Sequence, residues 1–261
     1  MSDDHLLLDK DGDLAWLVLN RPEKRNALSH EMWQRIPALI DDVENDPAVR
    51  VLIVRGIDER AFSAGADISE FTTHRATEEG ARNAGEVTEA AQARLADLSK
   101  PAIAMVQGPC VGGACGLAIA CDFRFADHTG LFGITPSTLG IVYTLSATKR
   151  LVDLVGPARA KYLLFSGRKL DAEAGRAIGL VDDVFEPDDL EARVVEFART
   201  LASRAQYSIR GTKRIVRLIM DGVVEENEES VRLNLDSYGT DDFREGVQAF
   251  LEKRPAKFTY S

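Results

Sequence analysis

Short apolar runs punctuate the first half of the chain, at Leu14–Leu19, residues 49–54 and residues 101–106. Each is too short for a helix and nearly free of polar residues, the pattern of strands buried on both faces of a parallel sheet. Phe123, Arg124 and Phe125 alternate instead, which predicts a half-exposed strand. Between these runs the period changes. Ser29 is placed to cap a helix running towards Asn45, with Pro37 in its interior predicting a kink or a second start. A longer helix is predicted over residues 77–99, with Val87, Ala90, Ala91, Leu95 and Leu98 on one face. From about Pro187 onward the pattern is helical. Ile215, Val216 and Ile219 share a face, as do Phe243, Val247, Phe250 and Leu251. These periods predict an α/β core followed by a helical end whose apolar faces need a further surface to cover them.

Composition narrows the class. A chain of 261 residues, 45% hydrophobic, can bury a full core as one domain with an appendage. The boundary is expected near residue 200, with a core over 1–200 and a helical region over 201–261. A formal net charge of −10 argues against nucleic-acid binding, which calls for a basic face. The longest mostly apolar stretch, residues 110–121, is too short to span a bilayer, so no membrane association is expected. The acidic, polar start Met1-Ser2-Asp3-Asp4-His5 resembles no targeting segment, and a cytoplasmic location is expected. Cys110, Cys115 and Cys121 fit no zinc or disulfide spacing and read as buried reduced thiols, with no metal site expected.

Two small-residue stretches carry the chemistry. Phe62-Ser63-Ala64-Gly65-Ala66-Asp67 follows the second apolar run, and Gly112-Gly113-Ala114-Cys115-Gly116 follows the third. Small residues at a strand's exit let backbone N–H groups approach a ligand closely. Two N–H groups converging on one carbonyl oxygen form an oxyanion hole, which stabilises an enolate or a tetrahedral oxyanion.

With these two loops the chain resembles the crotonase (enoyl-CoA hydratase/isomerase) superfamily along nearly its whole length. Leu19-Asn20-Arg21-Pro22-Glu23-Lys24-Arg25-Asn26-Ala27-Leu28 is similar to that family's early CoA-binding segment. Residues 61–68 resemble its first oxyanion loop, and 108–122 its second loop and following helix. Residues 175–184 and 240–258 resemble its later helix–strand passage and C-terminal helix. The resemblance implies a right-handed spiral of ββα turns, with a helical tail packed at a trimer interface and trimers commonly paired into hexamers. It implies an acyl-CoA substrate, with no cofactor beyond the CoA moiety. The oxyanion N–H groups are then those of Ala66 and Gly113. Contacts to CoA are expected from Lys24, Arg25, Ala27, Ala64, Asp67 and Ile68, and from Lys253 reaching a neighbouring subunit. The basic groups Arg21, Lys24, Arg25 and Lys253, Arg254, Lys257 also fit solvated surface charge. Asp67 fits a cap or loop hydrogen-bonder better than a catalyst.

Departures from the family pattern bear on the reaction. Hydratases of the family use two glutamates, one three residues after the oxyanion glycine and one shortly after a Phe-Gly pair. Here those positions hold Gly116 and Pro136. Thr135-Pro136-Ser137-Thr138-Leu139-Gly140-Ile141-Val142-Tyr143 is similar instead to a stretch of methylmalonyl-CoA decarboxylase, a family member with threonine and tyrosine at this spacing. That enzyme carries a glutamate where this chain has Gly116. Thr135 and Tyr143 are accordingly expected to orient a leaving carboxylate and place a proton, or else to serve as turn residue and pocket wall. Decarboxylation of a malonyl-type thioester leaves an enolate that an oxyanion hole stabilises without an enzymatic base. Decarboxylation is therefore the expected reaction. Enoyl-CoA hydration or isomerisation in fatty-acid metabolism with a base elsewhere, Glu70 or His74 first, stands beside it. So does a non-catalytic acyl-CoA-binding role.

Overall fold

The structure, a computed structural model, describes residues 4–259. Strand β1 (Leu6–Asp11) pairs antiparallel with β2 (Leu14–Leu19), and α1 (His30–Asn45) returns the chain to β3 (Val51–Gly56), parallel to β2. A short α2 (Phe71–His74) and a long α3 (Glu78–Ala96) lead to β4 (Ala102–Val106), β5 (Pro109–Val111) and α4 (Gly113–Ala120). The middle of the chain forms β6 (Phe123–Asp127), β7 (Leu131–Gly133), α5 (Pro136–Leu139), α6 (Leu145–Val155) and α7 (Pro157–Ser166). Then come β8 (Lys169–Asp171), α8 (Ala172–Ala177) and β9 (Asp183–Phe185). The tail is α9 (Pro187–Ala202), α10 (Gln206–Met220), α11 (Glu228–Ser237) and α12 (Asp241–Glu252). The main sheet has the order β1-β2-β3-β4-β6-β9, parallel from β2 onward, and β5-β7-β8 form a second sheet.

The apolar runs are buried on both faces because helices cover both. Leu52, Val54, Ala102, Ala104 and Val106 pack with α1, α3 and α4. Their alternates Val51, Ile53, Ile103 and Met105 pack with Leu190, Val194, Ala198 and Ala202 of α9. A strand period of two thus serves two separate apolar layers.

The expected cap is in place: Ser29 Oγ accepts from the Met32 N–H (3.2 Å). At the start of α3, Thr77 Oγ1 likewise accepts from the Gly80 N–H (3.1 Å). Other expectations need correcting. Pro37 starts no second helix: α1 is one element, and burial of Trp33, Ile36, Ile40 and Val43 offsets the hydrogen bond that proline cannot donate. On α3, Ala90 is exposed and Gln92 takes a buried place beside Ala91 and Leu95. Arg124 is not half-exposed. It is buried, and its guanidinium donates to the carbonyls of Leu180 and Cys121 (2.9 and 2.8 Å) and to Asp182 (3.0 Å). Burial of so polar a group is feasible because each of those acceptors is in place.

Candidate active site

The early polar segment locks onto the first small-residue loop through backbone bonds. Ala64 N–H donates to Arg25 O (2.9 Å), Leu28 N–H to Gly65 O (2.7 Å) and Asp67 N–H to Leu28 O (2.9 Å). Asp67 reinforces the junction as a loop hydrogen-bonder. It accepts from Ser69 N–H and Oγ (3.0 and 2.6 Å) and from Arg21 Nη1 (2.8 Å), and these bonds, those of Ser69 foremost, hold its carboxyl below the usual range. The second loop is tied to the first: Ser63 N–H donates to Pro109 O and Val111 N–H to Ser63 O. Gly65 has φ +97°, and a Cβ there would stand 2.6 Å from Val111 O, so only glycine lets the loops approach this closely.

That lacing leaves the N–H groups of Ala66 and Gly113 without a backbone acceptor among the described residues. Ala66 lies between residues whose N–H and C=O are engaged, yet its own N–H has no backbone acceptor among the described residues. Gly113 is the first residue of α4, where an N–H has no partner within the helix and the helix dipole favours a developing anion. Both residues line one cavity of about 180 Å³, with Thr135 and Tyr143 on its wall. Tyr143 packs against the core, and burial pushes its hydroxyl up to about 12, so it stays protonated at neutral pH and can donate. Its oxygen is 3.9 Å from where a Gly112 Cβ would lie, beside the second loop. Thr135 precedes α5 and makes no side-chain capping bond there.

The remaining expected residues divide. Ala64 and Ile68 line this cavity; Lys24, Arg25, Ala27, Asp67 and Lys253 do not. Lys24 and Arg25 are exposed beside the loop, and Lys253 is exposed at the end of α12. Glu70 accepts from the His30 N–H (2.7 Å) at the start of α1, and His74 stacks on His30 (4.4 Å between rings). Neither lines the cavity holding Ala66 and Gly113. The three cysteines are free and buried, and burial raises Cys110 and pushes Cys121 up to about 12, which removes these two as thiolate nucleophiles.

Four cavity and near-cavity residues escaped the sequence reading. Glu89 and Gln92 project from α3, Arg150 from α6, and Arg75 follows α2. Arg150 holds Glu89 bidentately (3.0 and 2.9 Å) and also donates to Gln92 Oε1 (3.1 Å). Gln92 Nε2 in turn donates to Gly113 O (3.1 Å), bracing the oxyanion loop. Gln92 also occupies the space beside Gly116, since a Cβ at Gly116 would lie 2.6 Å from its Nε2. One signal was readable: a glutamine on the apolar stripe of α3, between Ala91 and Leu95. Glu89 is the one carboxylate and Arg75 the one basic side chain among the described residues lining the cavity.

An α/β fold with two small-residue loops laced together beside one cavity defines the class of this protein. The family model for enoyl-CoA hydratase/isomerase matches residues 9–261. The chain belongs to this family. It is 36% identical to a crotonyl-CoA hydratase of Syntrophomonas wolfei, over 99% of each chain. It is 33% identical to a short-chain-enoyl-CoA hydratase of Clostridium acetobutylicum, over 96% of this chain and 95% of that one. A crystal structure of an enoyl-CoA hydratase/isomerase family protein from Hyphomonas neptunium superposes with a TM-score of 0.95 at 42% identity, covering 98% of each chain.

Proposed function

We propose that this chain acts on an acyl-CoA thioester, in the manner of an enoyl-CoA hydratase or isomerase, by stabilising enolate charge on the thioester oxygen. The observation that carries the reading is the pair of unengaged N–H groups, Ala66 and Gly113, lining one cavity. The relatives' names favour hydration or double-bond isomerisation. In this cavity the carboxylate available for proton transfer is Glu89. Both of its oxygens accept from Arg150, so it is free to take a substrate proton only when that pair opens.

A second reading, decarboxylation of a short malonyl-type ester, is favoured by a specific observation. The two family glutamate positions hold Gly116 and Pro136, while Thr135 and Tyr143 share the cavity with the oxyanion N–H groups. Loss of CO₂ leaves its electron pair as the enolate, so no base is required, and in this reading the protonated Tyr143 hydroxyl returns a proton. Mass spectrometry of purified protein incubated separately with crotonyl-CoA and methylmalonyl-CoA separates the readings. Gain of water on the first supports hydration, and loss of CO₂ from the second supports decarboxylation. In either case Tyr143→Phe reports whether the hydroxyl acts in the transition state: kcat falls while KM holds. Inertness towards a panel of enoyl- and malonyl-CoA esters would leave an acyl-CoA-binding role.

A further inference from the structure

Arg75 is a cation without an anion. Its guanidinium has no ion pair and no side-chain hydrogen bond among the described residues, although Glu70 is near in sequence and Glu89 lines the same cavity. Glu70 is spent on the start of α1, and Glu89 is held by Arg150 at both oxygens. What Arg75 does contact is the Phe71 ring, with the guanidinium carbon 4.8 Å from the ring centroid. Its backbone N–H donates to Phe71 O (2.9 Å), so the side chain departs from a fixed point at the end of α2. Burial pulls its pKa below the ordinary arginine range, and Tyr143 lines the same cavity. With Glu89 neutralised by Arg150, the cavity carries one uncompensated positive charge. A half-buried guanidinium with five donors and no acceptor is costly to leave unpaired, and its planar fork matches a carboxylate.

We propose that Arg75 selects acyl-CoA esters whose acyl group itself bears a free carboxylate, pairing with that carboxylate while Ala66 and Gly113 hold the thioester oxygen. The inference rests on the acyl-CoA reading above and sharpens its substrate class to acidic acyl groups, whichever reaction follows. A phosphate of the CoA moiety is the other anion that could reach Arg75. The exposed Lys24 and Arg25 stand outside the cavity and offer that phosphate an alternative partner.

Binding measured by titration calorimetry with matched esters tests this without turnover. Succinyl-CoA against butyryl-CoA, and glutaryl-CoA against pentanoyl-CoA, differ within each pair by a terminal carboxylate in place of a methyl. The wild-type protein is expected to prefer the acidic member of at least one pair by roughly 10–100-fold, the range for a charge-assisted pair. Arg75→Gln is expected to abolish that preference while leaving the neutral ester's Kd within about 3-fold, and Arg75→Lys to retain part of it. Equal loss of affinity for both members of a pair in Arg75→Gln would assign Arg75 to a CoA phosphate and overturn the proposal. So would wild-type protein that binds the neutral esters as tightly as the acidic ones, a result independent of whether any variant folds. Binding of none of the four esters would instead remove the acyl-CoA reading and, with it, the inference.

Discussion

Gly116 is where a single side chain decides most. In the family's hydratases this position supplies a carboxylate, whereas here Gln92 fills the space and is pinned at both ends, to Gly113 O and to Arg150. A glutamate introduced at 116 must displace an anchored amide rather than a free one. Gly116→Glu is therefore expected to lower stability by about 1–3 kcal/mol in denaturant melts, through overpacking and the lost hydrogen bonds. It is expected to gain no crotonyl-CoA hydration, because Pro136 still stands in the second carboxylate's place. Unchanged stability together with faster hydration than the wild-type protein would show that Gln92 does not brace the loop. The contrast between Gly116 and Gln92 also marks what the sequence could convey. The two small-residue loops stand out in the sequence because small residues at a strand's exit have a local meaning, whereas the choice of Ala66 and Gly113 within them rests on the family resemblance. Arg150 reaches Glu89 and Gln92 across about sixty residues of sequence, and Arg75 joins Glu89 and Gln92 only as lining of the same cavity, so no local pattern announces the arrangement.

Among the elements, β6 shows why alternation can mislead. Phe123-Arg124-Phe125 reads as apolar and polar by turns, yet the polar member is buried. The strand lies between β4 and β9 inside the sheet, and the backbone carbonyls of Cys121 and Leu180 converge on the guanidinium. Arg124 thus ties β6 to the passage that precedes β9. Arg124→Met keeps much of the volume but strands two carbonyls and Asp182. It is expected to cost about 3 kcal/mol in thermal or denaturant unfolding, with substrate affinity in the folded fraction preserved. A loss below about 0.5 kcal/mol would mean that water replaces the guanidinium at no cost. The buried strands β2, β3 and β4 were legible because their runs are continuous; β5, β7 and β8 are three residues each and depend on partners distant in sequence, while β1 turns from apolar to polar along its length.

At the scale of the whole molecule, the single chain is left with apolar surface on its tail. Val216 and Ile219 on α10, Leu235 on α11, and Phe250 and Leu251 on α12 are all exposed, Phe250 at 83%. The amphipathic periods in the sequence foresaw the faces of α10 and α12. We propose a homotrimer or a pair of trimers, with closed symmetry burying the tail and Lys253 completing a neighbour's CoA site. Multi-angle light scattering at micromolar concentration is expected to give three or six times the 28.6 kDa chain mass. A stable monomer would refute the assembly, and the exposed faces would then need another partner.

Turnover by Gly113→Pro tests most directly whether the Ala66 and Gly113 N–H groups hold the reacting oxygen. Proline suits the first position of a helix, so α4 keeps its start while the N–H is lost. Gly113→Ala is the control. It carries the same Cβ, 3.1 Å from the Trp33 ring, but retains the N–H. With folding confirmed by circular dichroism, and with whichever acyl-CoA ester the wild-type protein converts, Gly113→Pro is predicted to lose about 10²–10³ in kcat beyond any loss in Gly113→Ala. A folded Gly113→Pro protein that turns over as fast as Gly113→Ala would contradict the oxyanion assignment.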